Sequence, residues 1–115
     1  VLGALDARMQ EVYWGGYSAD AMGIMRTVIA ECVSAPQQVP PPGDGDWVAA
    51  GSGWGAYAEP LARRCGGVSR MLGSVSVHAQ DVASVGAVLF AEGAAVPAEL
   101  AQPVYLRDEV AWARS

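Results

Sequence analysis

The stretch VLGALDARMQEVYWGGY, residues 1–17, is the part of the sequence that decides the fold class. Residues 1–5 are apolar, residues 6–10 are polar in character, and residues 11–17 are rich in aromatic and β-branched side chains, which favour extended backbone. Two such runs joined by a short polar segment predict two antiparallel strands with a tight connection. In residues 24–33, the odd-numbered and the even-numbered positions each contain both apolar and polar side chains, and we interpret this segment as a third strand.

Residues 34–46 are rich in proline and glycine. Consecutive prolines fix φ and remove main-chain donors, which excludes a helix or a central strand and predicts an exposed loop. A simple connector is favoured over a polyproline docking motif, because short PxxP matches arise easily. Residues 47–51 then resume as a strand, and Ser52 and Gly53 turn the chain towards Trp54 and a short helix.

Pro60 is predicted to open this short helix at its first position, and Gly66 with the glycine after it is predicted to end it. Residues 68–77 are predicted as one more strand, interrupted near Gly73. Strands come first in this order, and helix and strand alternate afterwards. The order therefore predicts an α/β layered domain with a mixed sheet.

The clearest helical pattern covers residues 79–92, and Gly93 is predicted to stop it. Its apolar side chains form one stripe, made of Val82, Val85 and Leu89. Residues 103–107 are predicted to be extended. The tail, residues 108–115, is predicted to wrap over the surface with Trp112 as an anchor.

Composition predicts one folded domain, because 115 residues that are 52% hydrophobic and 17% charged provide ample material for a single core. The net charge of -5, without a single lysine, argues against direct binding of nucleic acid. Cys32 and Cys65 lie far apart and fit reduced thiols in the cytosol. The N-terminus resembles neither a signal peptide nor a membrane span, and we expect an interior strand cut open in an excised domain.

The residues that carry chemistry are sparse. The one histidine, His78, has no second histidine to share a metal, so a place at the helix entry is favoured over a ligand or catalytic role. Gly51, Ser52 and Gly53 follow a strand and are a weak candidate for a phosphate cradle. They lack the third glycine of a dinucleotide fingerprint and the lysine of a P-loop, so a tight turn is favoured.

Asp6 and Arg8 lie at a strand end, where they are candidates for an ion pair, for holding a loop or for facing a partner. An exposed ion pair stabilises a fold by at most about 1 kcal/mol, so turn architecture and an interface role are weighted equally. For the tryptophans, core packing is favoured over base stacking. They are Trp14, Trp47, Trp54 and Trp112.

The run LDARMQEVYW, residues 5–14, resembles the strand-turn-strand that opens the second domain of bacterial TsaB proteins. Three further stretches agree in order: VAAGSGW at 48–54, FAEG at 90–93, and PVYLR at 103–107 with VAW at 110–112. Gln10 departs from the glycine that is common in the family, and residues 34–46 replace a longer helical segment. The candidate interface or structural residues in these motifs are Asp6, Arg8, Glu11, Tyr105 and Arg107.

The resemblance implies an actin-like, RNase-H-like domain of the ASKHA type, with a mixed sheet and a few helices, as the second half of a two-domain protein. It implies no catalytic residue, no metal ligand and no cofactor. The family's role is a cytoplasmic, non-catalytic scaffold that supports the catalytic subunit TsaD, with the ATPase TsaE, in threonylcarbamoyladenosine modification of tRNA. The resemblance also implies a possible homodimer, and it places the family's main dimer surface, for TsaD or for a second copy, on the first domain. The alternative function is a glycoprotease-like metallopeptidase or a nucleotide-binding ATPase-like domain.

Overall fold

The computed structural model describes residues 1–107. They fall into two compact units, one built from Val1–Val75 with the chain that resumes at Leu106, the other from Ser76–Tyr105. The predictions for residues 108–115, including Trp112 and the VAW motif, lie outside the described residues.

The first unit is a five-stranded mixed sheet with the strand order β3-β2-β1-β4-β5. Antiparallel pairing joins β1 to β2 and β2 to β3, and parallel pairing joins β1 to β4 and β4 to β5. This confirms the predicted α/β class and all three opening strands. The strands are β1 Leu2–Asp6, β2 Val12–Ala19, β3 Met25–Ser34, β4 Trp47–Ala50 and β5 Val68–Leu72.

Alternation along the strands directs one face of the sheet into the core. The buried cluster combines side chains from this face with Trp54 and Leu61 of the helices that follow β4. The indole rings of Trp14 and Trp54 lie 5.8 Å apart, and Trp54 Nε1 donates to the carbonyl oxygen of Leu2 at 3.0 Å. Core packing is therefore confirmed for both tryptophans, each of which contributes about 3–5 kcal/mol in a typical core. Trp47 is only partly buried beside them.

Residues 34–46 form a loop that is mostly exposed, as the sequence predicts, but two of its side chains are buried. Pro36–Gln38 forms a 3-10 turn, and both Pro36 and Val39 are fully buried. Trp14 Nε1 donates to the carbonyl oxygen of Pro40 at 3.0 Å, and Arg64 Nε donates to that of Val39 at 2.9 Å. These two side chains add apolar surface to the core, and Pro36 has no main-chain donor that would need a partner there.

The helical connection after β4 also begins earlier than predicted. Helix α1 covers Ser52–Ala56, and helix α2 covers Ala58–Cys65, which places Pro60 at the third helical position. Proline is tolerated there because the first four amides of a helix have no partner within it. The predicted stop is confirmed, since Gly66 has φ 75° at the end of α2. Strand β5 ends at Leu72, immediately before the predicted interruption at Gly73. The predicted continuation of this strand to residue 77 is wrong, because residues 73 and 74 form a turn and residues 75–77 have no regular structure.

The second unit contains helix α3, Ala79–Ala91, and the 3-10 turn Ala98–Leu100. The predicted helix is confirmed, and His78 lies at its N-cap without a side-chain capping bond. Gly93 has φ 80°, and the next amide, of Ala94, donates to the Leu89 carbonyl oxygen at 3.0 Å, which closes the helix as a Schellman motif does. The predicted apolar stripe remains exposed, because no residue of α3 is buried.

Candidate functional site

The connection between β1 and β2 adopts an unusual backbone conformation. Arg8, Met9 and Gln10 have φ values of 61°, 55° and 60°, so three consecutive non-glycine residues are left-handed. Each such residue costs about 1–2 kcal/mol relative to an ordinary conformation. The turn is closed by the Ala7 amide, which donates to the Glu11 carbonyl oxygen at 2.9 Å. Further contacts must offset the remaining strain, and the charged side chains around the turn provide them.

Asp6 supports this turn from the end of β1. Its Oδ1 atom accepts a hydrogen bond from the main-chain amide of Arg8 at 3.0 Å. Its own amide donates to the hydroxyl oxygen of Ser52 at 3.0 Å. Asp6 therefore contacts the main chain of Arg8 and not its side chain. This contact fits the role in holding the turn, which is one of the alternatives that the sequence left open. An interface role for the exposed Arg8 side chain stays a prediction.

Arg107 contacts the same turn from a position about one hundred residues further along the chain. Nη1 donates to the Ala7 carbonyl oxygen at 3.0 Å, and Nη2 donates to Glu11 Oε1 at 2.7 Å and to the Arg8 carbonyl oxygen at 3.4 Å. The guanidinium carbon lies 5.9 Å from the centre of the Tyr13 ring. We use the name turn clamp for Arg107, its partner Glu11 and the carbonyl groups of Ala7 and Arg8 to which Arg107 donates.

The turn clamp is largely shielded from solvent. The side chain of Arg107 is 17% exposed, and that of Glu11 is 32% exposed. Hydrogen bonds to a charged donor are roughly twice as strong as neutral ones, and the planar guanidinium serves several acceptors with one geometry. Its Nε atom is buried and meets no acceptor among residues 1–107. The clamp therefore holds two carbonyl oxygens of the strained turn, and this places Glu11 and Arg107 together as structural residues.

Gly51 and Gly53 are explained by their approach to β1. Gly51 has φ 114°, and a Cβ atom there would overlap the carbonyl oxygen of Ala4. A Cβ atom on Gly53 would lie 2.9 Å from the main-chain carbon of Ala4. Since the Ser52 hydroxyl already accepts from Asp6 and α1 has only five residues, the geometry favours the tight-turn interpretation over a phosphate cradle.

Tyr105 lies in the second unit, and its side chain is 77% exposed. It makes no contact that defines a role, and its assignment as an interface residue stays a prediction. Among residues 1–107, no group of three or more His, Cys, Asp and Glu side chains is placed to hold a metal ion. No helix in that range is long and apolar enough to cross a membrane.

Sequence reasoning missed a cavity on the other face of the sheet. Its volume is about 190 Å³, and it lies beside the rings of Tyr13 and Tyr17 and the carboxylate of Glu31. The Tyr17 ring crosses two glycines: a Cβ atom would lie 3.3 Å from the ring at Gly3 and 2.5 Å from the phenol oxygen at Gly15. Burial, the negative charge of Glu31 and a hydrogen bond to it raise the pKa of Tyr17 to about 12. The sequence signal that could have indicated this cavity is the pair of glycines, Gly3 and Gly15, against which the Tyr17 ring lies.

Comparison with known proteins finds a similar protein and similar solved structures, although no family model matches the chain. The chain is 40% identical to the tRNA threonylcarbamoyladenosine biosynthesis protein TsaB of Escherichia coli (strain K12) over 119 aligned residues, which cover 97% of this chain and 49% of that protein. The chain is therefore similar to about half of a TsaB protein.

Two solved structures from Pseudomonas aeruginosa agree with this similarity. One, described as an uncharacterized protein with similarity to peptidase YEAZ, has a TM-score of 0.78 and 39% identity over 92% of this chain. The other, YeaZ, has a TM-score of 0.77 and 40% identity over 90% of it. Their agreement supports the actin-like type of the mixed sheet. The chain spans about half the length of each relative, 48% of both structures and 49% of the E. coli protein.

Gln10→Gly is expected to stabilise the domain by about 1 kcal/mol, because glycine adopts φ near 60° without a steric penalty. The measurement is the free energy of unfolding from denaturant titration. The matched control is Gln37→Gly, in the 3-10 turn after β3, where no positive φ is required and glycine brings no gain. Equal destabilisation by both substitutions would contradict the left-handed turn.

Tyr17 predicts a pH dependence at the alkaline end. Its pKa is raised to about 12, so the folded state holds the proton more tightly than the unfolded chain, whose tyrosines titrate near 10. The associated stability is fully present below about pH 10 and is lost as the pH rises through about 12. Ultraviolet titration is expected to show a late phenol that Tyr17→Phe removes and that Glu31→Gln shifts to lower pH. Glu59→Gln, on α2, is the control and leaves the late phenol in place.

Proposed function

We propose that this domain is a non-catalytic supporting module in the biosynthesis of threonylcarbamoyladenosine in tRNA. The similarity to E. coli TsaB supports a role in this pathway, because the name of that protein states it. Within this pathway, we propose that the domain acts in the cytoplasm as a scaffold that supports the catalytic subunit TsaD, together with the ATPase TsaE. A net charge of -5 without lysine supports contact with tRNA through these partners and not through this domain.

The observation that supports the scaffold role is that several polar side chains of the domain hold its turns through hydrogen bonds. Asp6, Ser52, Glu11 and Arg107 are each bound to a main-chain group or to one another. Asp20 serves the next turn in the same way, accepting from the amides of Met22 and Ile24 and from Arg26. Side chains committed to holding turns are suited to shaping a rigid surface.

The electrostatics of Asp20 agree with that use. The hydrogen bond from the Ile24 amide, then the Arg26 side chain, holds the pKa of Asp20 below its usual value. A lowered pKa keeps the carboxylate ionised in the folded state, so its contribution to the turn is present near neutral pH and is lost as the pH falls through that lowered pKa. The group is stabilised as an anion that accepts hydrogen bonds, which is the opposite of a catalytic acid tuned to hold a proton.

The test compares three proteins: this chain, the same chain joined to the half of E. coli TsaB outside the match, and full-length E. coli TsaB. Each is assayed for capture of TsaD and for threonylcarbamoylation of tRNA with TsaD and TsaE. We expect the joined chain to bind and to support modification, and this chain alone to do neither, since the family's main dimer surface is expected on the other half.

Two results would overturn the proposal. The first is modification activity or tight nucleotide binding by this chain without TsaD, which supports the alternative of an ATPase-like domain. The second is stoichiometric metal with peptidase activity, which supports the peptidase alternative suggested by the description of one P. aeruginosa relative. If the chain alone captures TsaD, its own surface carries an interface, and Asp6, Arg8 and Tyr105 become the residues to substitute.

A further inference from the structure

The face of the sheet opposite the core contains a cavity of about 190 Å³. The cavity crosses β1 and β2 where Gly3 and Gly15 are directly paired. Neither glycine has a side chain that could fill the space above the strands, so a depression is left between larger neighbours. Leu5 and Tyr13, the pair two positions further along the same strands, line it as well. The cavity is therefore formed largely by regular strands, whose backbone is held by the hydrogen bonds of the sheet.

The lining of this cavity combines aromatic and aliphatic side chains with one charge. Among residues 1–107, Glu31 is the only charged residue that lines it, and the rings of Tyr13 and Tyr17 lie beside it. The aliphatic part of the lining consists of Leu5, Ala50 and Leu106. A carboxylate and the faces of aromatic rings attract a positive charge, and aliphatic side chains favour contact with carbon atoms. This lining is complementary to an organic cation.

Tyr17 holds the carboxylate of Glu31 in place, because its phenol donates a hydrogen bond to that carboxylate. Burial, the negative charge of Glu31 and this bond raise the pKa of Tyr17 to about 12, so the phenol keeps its proton at neutral pH. The ring packs closely on the sheet, since a Cβ atom on Gly3 would lie 3.3 Å from it. An ionised carboxylate has about four acceptor positions, and the phenol uses one of them. The remaining positions can accept from the N–H groups of a bound cation.

The size of the cavity and the neighbouring charges limit the cation to a small one. An engineered apolar cavity of about 150 Å³ binds benzene. A space of about 190 Å³ therefore receives a nitrogen on a chain of roughly four carbons. Arg107, whose guanidinium carbon lies 5.9 Å from the centre of the Tyr13 ring, adds little repulsion, because its Nη2 atom is paired with Glu11 Oε1 at 2.7 Å.

We propose that this cavity binds a primary alkylammonium group, with the nitrogen at Glu31 and the carbon chain against Leu5, Ala50 and Leu106. A primary ammonium suits the site because each of its N–H groups is a donor that the carboxylate of Glu31 can accept. The same group occurs in small free amines and in the side chain of lysine. A second copy of this chain does not supply it from a side chain, because its 115 residues contain no lysine. The proposal is independent of the role with TsaD.

The test is a titration at neutral pH that follows backbone amide resonances by NMR, in this chain and in the chain joined to the half of E. coli TsaB outside the match. The ligands are n-butylammonium and its uncharged counterpart n-butanol. We expect n-butylammonium to shift the resonances of Gly3, Gly15 and Ala50 in both proteins, with a Kd on the order of 1 mM for so small a ligand. n-Butanol is expected to bind roughly tenfold more weakly, because it lacks the charge that pairs with Glu31.

Three variants separate the contributions to binding. Glu31→Gln keeps the shape of the lining and removes its charge, and it is expected to weaken the binding of n-butylammonium roughly tenfold without changing that of n-butanol. Ala50→Leu fills the cavity and is expected to abolish the binding of both ligands. Glu59→Gln removes an exposed carboxylate on α2, outside the cavity, and leaves both affinities unchanged. Unshifted resonances of Leu2 and Val12, in the buried core, show that each variant is folded.

Equal affinity for n-butylammonium and n-butanol, or an affinity that Glu31→Gln leaves unchanged, overturns the proposal. The absence of any shift in a folded protein does so too, and so does binding to this chain that is lost in the joined protein, because the other half then covers the cavity. N-acetyl-lysine amide distinguishes the sources of the ammonium group. Binding as tight as that of n-butylammonium assigns the cavity to a lysine side chain of a partner, and much weaker binding assigns it to a free amine.

Discussion

Gly51→Ala is expected to destabilise the domain by about 4 kcal/mol, which in a domain of this size largely abolishes folding. Two costs combine at this residue. The backbone has φ 114° and ψ 167°, a region that only glycine occupies readily, and the new Cβ atom would overlap the carbonyl oxygen of Ala4. That oxygen belongs to a buried central strand, so it has no space in which to move aside.

Two other glycines separate these costs. Gly23, in the turn between β2 and β3, has φ 80° with nothing within 4 Å of a Cβ atom, so Gly23→Ala adds strain alone, about 1 kcal/mol. Gly43 has open space and no positive φ, and Gly43→Ala is expected to be neutral or slightly stabilising. Denaturant titration of the three variants is the measurement. A loss at Gly51 no larger than that at Gly23 would contradict the close approach of α1 to β1.

Arg107→Ala is expected to destabilise the domain by about 2–3 kcal/mol, and to lower Tm by roughly 10 °C or more. The substitution leaves the Ala7 and Arg8 carbonyl oxygens without their donor and Glu11 without its partner. It also releases a turn that is strained at three residues. Arg107→Lys is expected to recover only a small part of the loss, because an ammonium group cannot serve these acceptors with one planar geometry.

The matched control is Arg63→Ala. Arg63 also pairs with a glutamate, Glu59, but the two side chains are 75% and 81% exposed on α2. Exposed pairs at this spacing contribute about 0.3–0.5 kcal/mol, so the change is close to the error of the measurement. Thermal and denaturant unfolding of both variants test the difference. Similar losses at the two arginines would show that the turn clamp does not hold the turn between β1 and β2.

Local features of the sequence predicted the secondary structure well. The apolar run in residues 1–5 and the aromatic run in residues 11–17 became β1 and β2, and the pattern over residues 79–92 became α3. The stops at Gly66 and Gly93 were predicted from glycine alone, and both have positive φ. These predictions succeed because strand alternation, helix periodicity and left-handed stops depend on residues only a few positions apart.

Three features depended on contacts between distant residues and were not predictable in this way. Arg107 binds a turn about one hundred positions earlier, the Ser52 hydroxyl accepts from the amide of Asp6, and Gly51 packs against Ala4. The burial of Pro36 and Val39 in a segment that resembles an exposed loop belongs with them. In each case the sequence around the residue does not specify which distant residue it contacts, so the contact could not be predicted from local features.

By itself, then, the sequence determined the α/β class, the opening strands, the last helix, the lack of a strongly basic surface and the resemblance to the TsaB family. Only the tertiary structure decided that β4 pairs in parallel with β1, that Glu11 and Arg107 meet in the turn clamp, and that α3 has no buried residue. The physical reason is the range of the forces involved. Backbone propensity is set by neighbours along the chain, whereas strand order, steric contact and ion pairing are set by which distant surfaces fold together.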